Sequence, residues 1–285
     1  MGHMRLTVLD TGHRARATMF LRLTGSDAPD IVRTLLYRPE FFARPLLALT
    51  VPAMRGPSHW TAGEREYLAM RTAQLNQCPY CVDSHSALAT IASKGRIRTD
   101  DTDTVRPELL AAHTFLDATG HGVPATVPDL PRDALEQALR VDLVWHVINR
   151  TGNAFGFTMR GNQLATGPKA LHRFGYRFPG FLLAGGDRTD LGDPVDNLRH
   201  AVLDAPAVTS PARRHAAADS GDLPEPWRAY TALVRDASYR ITDEVVENLG
   251  ATEDEVYELT VAAAVGAALA GHRNGMNALT RATAE

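Results

Sequence analysis

TAGEREYLAMRTAQLNQCPYCVDSH, residues 61–85, is the stretch from which the fold of this chain is read. Thr61 followed three residues later by Glu64 is a capping box, so a helix opens at Thr61 and runs to about Asn76. Asn76-Gln77 suits the end of that helix. A second helix begins at Cys78, with Pro79 in its first turn, where a missing N–H costs nothing, and fades near Lys94-Gly95. Cys78, Cys81 and His85 stand three and four residues apart, so one face of the second helix carries all three. The two cysteines are the only ones in 285 residues.

A thiol pair with a base one turn above it is equipped for disulfide redox chemistry. Cys78 falls at or near the N-cap and Cys81 in the first turn, where backbone N–H groups are unpaired and the helix dipole favours negative charge. A thiolate is therefore expected, with a pKa below the free value of about 8.5. His85 stands roughly 10 Å from the start of its helix and Glu66 about 15 Å from the end of its own. If the helices fold back as an antiparallel hairpin, the two come to similar heights. The carboxylate then orients the imidazole, directly or through a water, while His85 accepts the Cys81 proton. Zinc is a rival reading: Cys78, Cys81 and His85 offer three ligands where a structural site usually needs four, and no second CxxC or HxxxH completes the set. Glu64 and Glu66 also have a plainer reading, as solvated first-turn carboxylates.

Outward from this hairpin the pattern is helical nearly throughout. Asp27-Ala28-Pro29 opens a helix with Ile31, Val32, Leu35 and Leu36, and Pro39 opens another with Phe41, Phe42, Leu46 and Leu47 facing inward. Further helices are expected over Pro107–Ala118, Arg132 to about Asn149, and Asn153–Leu164, with a loop from Gly120 to Pro131. From Gly185 to Pro224 the chain is polar and proline-punctuated, an irregular segment with one short helix near Asn197–Leu203. Helices resume at Pro226–Ala237, Thr242–Leu249 and Thr252 to about Ala282. Runs of period two are few and short, so the class is all-α. Aligning Glu66-Tyr67-Leu68-Ala69-Met70 with Glu258-Leu259-Thr260-Val261-Ala262 sets Ala270 opposite Cys78, Arg273 opposite Cys81 and Asn277 opposite His85. This is a degenerate internal repeat that keeps the helices and lacks the chemistry, or a chance similarity of two Ala-rich helices.

Composition narrows the function classes. Net charge is -3, which argues against an electrostatic nucleic-acid partner. The most apolar stretch, Val261–Ala270, is too short to cross a bilayer, which needs roughly 20 residues. No signal peptide precedes the helices, Met1-Gly2-His3 reads as a cloning remnant, and a cytoplasmic protein is expected. In that reducing compartment a close cysteine pair is catalytic or metal-binding in preference to a structural staple. His113, His121 and His146 lack ligand spacing and read as structural, Trp145, Phe155, Phe157 and Met159 as core or oligomer contacts, and Arg213-Arg214-His215 as a solvated loop cluster.

Glu66, eleven intervening residues, Cys78-x-x-Cys81, three more and then His85 resemble the signature of the AhpD-like (alkylhydroperoxidase D and carboxymuconolactone decarboxylase) superfamily. The likeness is strong over about residues 40 to 95 and fair over 226 to 280. It implies an AhpD-like helical bundle divided into an N-terminal part, 4–95, an insertion, 96–225, and C-terminal helices, 226–285. It also implies a thiol-dependent peroxidase or disulfide reductase that needs no metal or organic cofactor. By that resemblance Cys81 attacks the peroxide, Cys78 resolves the sulfenic acid, and Glu66 with His85 relays the proton. The implied partners are a hydroperoxide or other small molecule, a dithiol reductant protein of lipoyl or thioredoxin type, and further copies of the chain in a dimer, trimer or hexamer. Two departures matter. Some peroxidase members have a His where this chain has Tyr80, and the true lactone decarboxylases lack the CxxC pair. Two alternatives stay beside the peroxidase reading: a decarboxylase-like enzyme using His85 and Glu66 as acid and base on a small carbon substrate, and a non-enzymatic redox-sensing oligomer.

Overall fold

The structure, a computed structural model, describes residues 4–23, 28–186 and 189–283. It is all-α, with no strand among the described residues. The helices are α1 (Val8–Thr11), α2 (Ala15–Leu23), α3 (Asp30–Tyr37), α4 (Arg44–Arg55), α5 (Ala62–Leu75), α6 (Pro79–Ala92) and α7 (Pro107–Gly120). They continue as α8 (Arg132–Phe155), α9 (Gln163–Phe174), α10 (Pro194–Arg199), α11 (Pro211–Ala218), α12 (Trp227–Asp236), α13 (Asp243–Glu247) and α14 (Glu253–Ala282).

The hairpin of α5 and α6 forms as its sequence dictates. Thr61 Oγ1 accepts the Glu64 N–H while the Glu64 carboxylate accepts the Thr61 N–H, which closes the capping box. At the other end Gln77 takes a left-handed conformation, φ 49°, the Cys78 N–H returns to the Ala73 carbonyl at 3.0 Å and the Gln77 N–H to that of Gln74 at 3.1 Å. This is a Schellman motif, and it reverses the chain so abruptly that α6 starts at Pro79 with Cys78 as its N-cap.

α8 and α14 hold the hairpin in place. α8 packs on α5 along one side and on α14 along the other, and α9 lies over α6. One continuous apolar core runs from Met4 through Leu68, Ala69, Leu135, Leu139 and Val144 to Val265 and Leu279. Small residues bring α14 close to its neighbours: a Cβ at Gly266 would stand 2.4 Å from the Ala218 carbonyl oxygen of α11, so that crossing exists only because position 266 has no side chain.

Four expectations need correction. The separate helix expected over Asn153–Leu164 does not form: α8 runs unbroken to Phe155, and the next helix, α9, begins only at Gln163. Gly152 serves packing, since the Phe157 ring lies over it, and the stop comes at Gly156, φ 72°, the left-handed C-cap. The segment from 185 to 224 is more ordered than its prolines suggest, because Ser210 caps a helix, α11, in addition to the short helical stretch over 194–204. Arg214 is not solvated: it is fully buried on α11, where its guanidinium donates to the Thr209 and Ala205 carbonyls. In the C-terminal echo Glu258 is buried and paired, with Arg38 and the Val208 and Thr209 N–H groups, much as Glu66 is, but α14 continues straight through the position matching the Asn76–Cys78 turn. No second hairpin exists there. The expectation at Asp27 lies outside the described residues.

Candidate functional site

Glu66 lies one and a half turns into α5, facing α6, and is completely buried. An ionised carboxylate there requires compensation, and four hydrogen bonds provide it. Arg55, the last residue of α4, donates through Nη2 to Oε1 at 2.5 Å. Tyr176, just past α9, donates through its hydroxyl to both oxygens, at 2.9 and 2.8 Å. His85 on α6 donates through Nδ1 to Oε2 at 2.8 Å. Burial pushes the Glu66 carboxyl upward, but the bond and charge of His85, followed by those of Arg55, outweigh it and hold the group below its ordinary value. A carboxylate accepts and cannot donate, so His85 carries its proton on Nδ1. Its other nitrogen, Nε2, is the basic one in the neutral ring.

Aromatic side chains fix the imidazole further. Trp145 of α8 meets the His85 ring edge-on, with centroids 3.9 Å apart, and its indole N–H reaches the Met54 sulfur at 3.3 Å. The Arg55 guanidinium lies over the Tyr176 ring at 4.9 Å, and the same ring lies 5.9 Å from that of Trp145. Burial and the adjacent Glu66 charge raise the Tyr176 phenol well above its ordinary value, so it stays a donor.

The cysteines are reduced and adjacent. Their sulfurs stand 2.8 Å apart, beyond the covalent length of about 2.05 Å, and both residues are buried, 1% and 2% exposed. The thiolate expected at Cys81 is not what this arrangement favours. Burial pushes its thiol well above the ordinary value, and the hydrogen bond and charge of Cys78 push it further. Burial is the largest cause, since the Cys81 side chain is almost wholly removed from solvent. The structure thus joins Glu66 to His85 and Cys78 to Cys81, while no hydrogen bond links His85 to either sulfur among the described residues.

Arg55, Tyr176 and Trp145 were missed as site residues. Arg55 stands 11 residues and Tyr176 110 residues from Glu66, on other elements, and no spacing signals either. Trp145 was read as core or contact, and it is core, but the ring it packs on is that of His85. His146 is structural: Asn76 Nδ2 and Arg150 Nη1 both donate to its Nδ1, at 2.9 and 2.6 Å, pinning the end of α5 to α8. Beyond this network a cavity of about 670 Å³ opens, lined by Asn76, His146, Arg150, Ser238 and Gly271 among others. Cys78, Cys81, His85 and Glu66 do not line it, so its volume says nothing about access to the sulfurs. Among the described residues no three His, Cys, Asp or Glu side chains are placed to hold a metal ion, and no helix is long and apolar enough to cross a membrane.

Residues 41–99, α4 to α6 with their flanks, match the carboxymuconolactone decarboxylase family, a family of the AhpD-like superfamily. The matched region contains Glu66, Cys78, Cys81, His85 and Arg55, while Trp145 and Tyr176 lie beyond it. No curated protein matches the chain.

Arg55→Met is expected to destabilise the fold by about 3–5 kcal/mol in urea unfolding, because it leaves a buried carboxylate without its cation. A loss under about 1 kcal/mol would show that Glu66 is held by other means. Stability should also depend on pH in a definite direction. The folded pKa of Glu66 lies below the ordinary 4.5, so its contribution is present above that value and is lost as pH falls through the lower folded value. Unfolding free energies measured from pH 7 to pH 3 should therefore fall less steeply in Glu66→Gln than in wild type. Parallel curves would contradict an ionised Glu66.

Proposed function

We propose that this AhpD-like chain is a thiol-dependent peroxidase or disulfide oxidoreductase in which Cys78 and Cys81 cycle between dithiol and disulfide. The observation that carries the reading is the pairing of two adjacent reduced sulfurs, one at a helix N-cap and one in its first turn, with an imidazole whose proton is fixed by a buried carboxylate. In the proposed cycle His85 Nε2 takes the Cys81 proton, which requires side-chain movement, since no hydrogen bond joins His85 to the sulfur at rest. The Cys81 thiolate then attacks the terminal oxygen of the hydroperoxide. The O–O bond breaks, the alkoxide takes the proton and leaves as alcohol, and Cys81 becomes a sulfenic acid. Cys78 attacks the Cys81 sulfur, water leaves and the disulfide forms. A dithiol protein of lipoyl or thioredoxin type returns the two electrons and two protons by thiol–disulfide exchange.

The buried position of Cys81 favours small hydroperoxides over bulky ones. Tyr176 links residue positions far from the hairpin to its acid–base pair, so the stretch between the matched region and α14 serves as part of the active site in this reading. Phe174 and Phe181, 62% and 51% exposed on either side of Tyr176, offer apolar surface for assembly into the proposed homo-oligomer.

One observation favours a second reading. The Cys81 thiol is held protonated while Glu66 and His85 are already hydrogen-bonded, which is the resting state of an acid–base pair acting on a small carbon substrate without sulfur chemistry. Cys81→Ser separates the two. Under the peroxidase reading it abolishes hydroperoxide consumption in a dithiol-coupled assay, a loss of at least about a thousandfold, given that the nucleophile itself is removed. Undiminished turnover in Cys81→Ser, accompanied by loss in Glu66→Gln, would transfer the function to the acid–base pair.

A further inference from the structure

Arg150 of α8 carries a positive charge at a depth where the fold gives it no counterion. It is 9% exposed, and among the described residues no carboxylate stands within ion-pair distance of it. Asp142 and Asp236 act on it only from further away. Burial pulls its pKa down to about 10 against those two charges, so the group remains a cation at neutral pH. A buried charge is ordinarily paired, because neutral hydrogen bonds alone do not repay its removal from water.

A guanidinium has five N–H bonds, and here three of them are committed to the fold. Nε donates to the Arg235 carbonyl at 2.9 Å, and Nη1 donates to His146 Nδ1 at 2.6 Å and to the His146 carbonyl at 3.2 Å. His146 Nδ1 also accepts from Asn76 Nδ2, so it is a neutral acceptor and offers no negative charge. The two N–H bonds that remain are both on Nη2, which has no acceptor among the described residues. Nη2 is not one of the side-chain nitrogens shut away without a hydrogen bond, so it keeps contact with open space. The open space that Arg150 lines is the cavity of about 670 Å³. One edge of the guanidinium is thus fixed by neutral acceptors, and its other end is free and charged.

The rest of that cavity suits an anion with an apolar body. Leu75 of α5 and Ala267 and Ala270 of α14 line it, and side chains as small as these alanines leave room for a guest. Asp219 and Asp236 line it too, but both are exposed, where water and salt screen their charge. Its volume falls within the range of about 300–1,000 Å³ usual for small-molecule sites.

We propose that this cavity binds a small organic carboxylate, which accepts from Arg150 Nη2 and lays its apolar body along Ala267 and Ala270. The ligand supplies the counterion that the fold withholds. Its donor is already held in place, so little ordering is required on binding. Because Nη1 is occupied, the contact is made through Nη2 alone and not through a fork across both terminal nitrogens. Cys78, Cys81 and His85 do not line the cavity, so the site is separate from the thiols and does not rest on the redox reading.

The test is isothermal titration calorimetry of the full-length chain with hexanoate, benzoate and phenylacetate, each beside its neutral amide, and with inorganic phosphate. At least one carboxylate should bind saturably with a dissociation constant of about 1 mM or lower, at least about tenfold tighter than its amide. Arg150→Met should weaken that binding by at least about tenfold. If Arg150→Met fails to fold, Ala270→Phe decides the matter: it fills the cavity from α14, leaves the hydrogen bonds of Arg150 in place, and should weaken binding as much. The proposal is overturned if none of the three carboxylates saturates, if acid and amide bind equally, or if inorganic phosphate binds more tightly than every carboxylate. Carboxylate binding unchanged in the folded variants would overturn it as well.

Discussion

A carboxylate with no exposure to water is the constraint around which the site is built. Glu66 brings α5 against α6 through His85, against α4 through Arg55 and against the segment after α9 through Tyr176. Each donor is worth far more to a buried anion than to a solvated one, and each loses its function if the anion is removed. The same four bonds therefore perform two tasks. They tie three parts of the chain, far apart in sequence, to a single atom pair, and they decide which nitrogen of His85 bears the proton. Stability and chemistry are coupled at this residue because the groups that keep the charge in place are those that direct the imidazole.

The sulfurs are subject to a different balance. A helix N-terminus draws negative charge toward Cys78 and Cys81, and burial repels it, and in the resting structure burial prevails at Cys81. In the proposed cycle such a thiol stays protonated until His85 takes its proton. Both sulfurs are buried, and burial holds the Cys81 thiol protonated in the resting structure. The Schellman turn at Gln77 makes the placement possible, since it joins α5 to α6 without a loop that could let solvent in.

Much of this was legible in the residues between 61 and 85. The capping box, the Asn76-Gln77 stop and the Pro79 start give two helices and an immediate reversal, and the 3-and-4 spacing of Cys78, Cys81 and His85 gives their common face. Glu66 was legible as the partner of His85 because a hairpin has only one way to match heights. Arg55 and Tyr176 were not, since a contact between distant elements leaves no periodic trace in either one. The end of α8 was misplaced for a related reason: the room that Gly152 leaves for Phe157 is visible only once the neighbouring ring is in place. Arg214 hid in the same way, behind the rule that a run of basic residues is solvated, though its burial is set by carbonyls that come from other turns. The echo around Glu258 contained half a truth: the buried, paired glutamate recurs, and the hairpin does not, because nothing in α14 matches the Asn76-Gln77-Cys78-Pro79 stop and start.

The most direct measurement of the central claim is the protonation pattern of the His85 ring, read from its nitrogen-15 shifts by NMR on histidine-labelled protein at neutral pH. If the buried Glu66 carboxylate directs this site, the ring bears its proton on Nδ1 and leaves Nε2 open, and replacing Glu66 by Gln redistributes that pattern. A ring protonated only at Nε2, unaffected by the same replacement, would contradict the account.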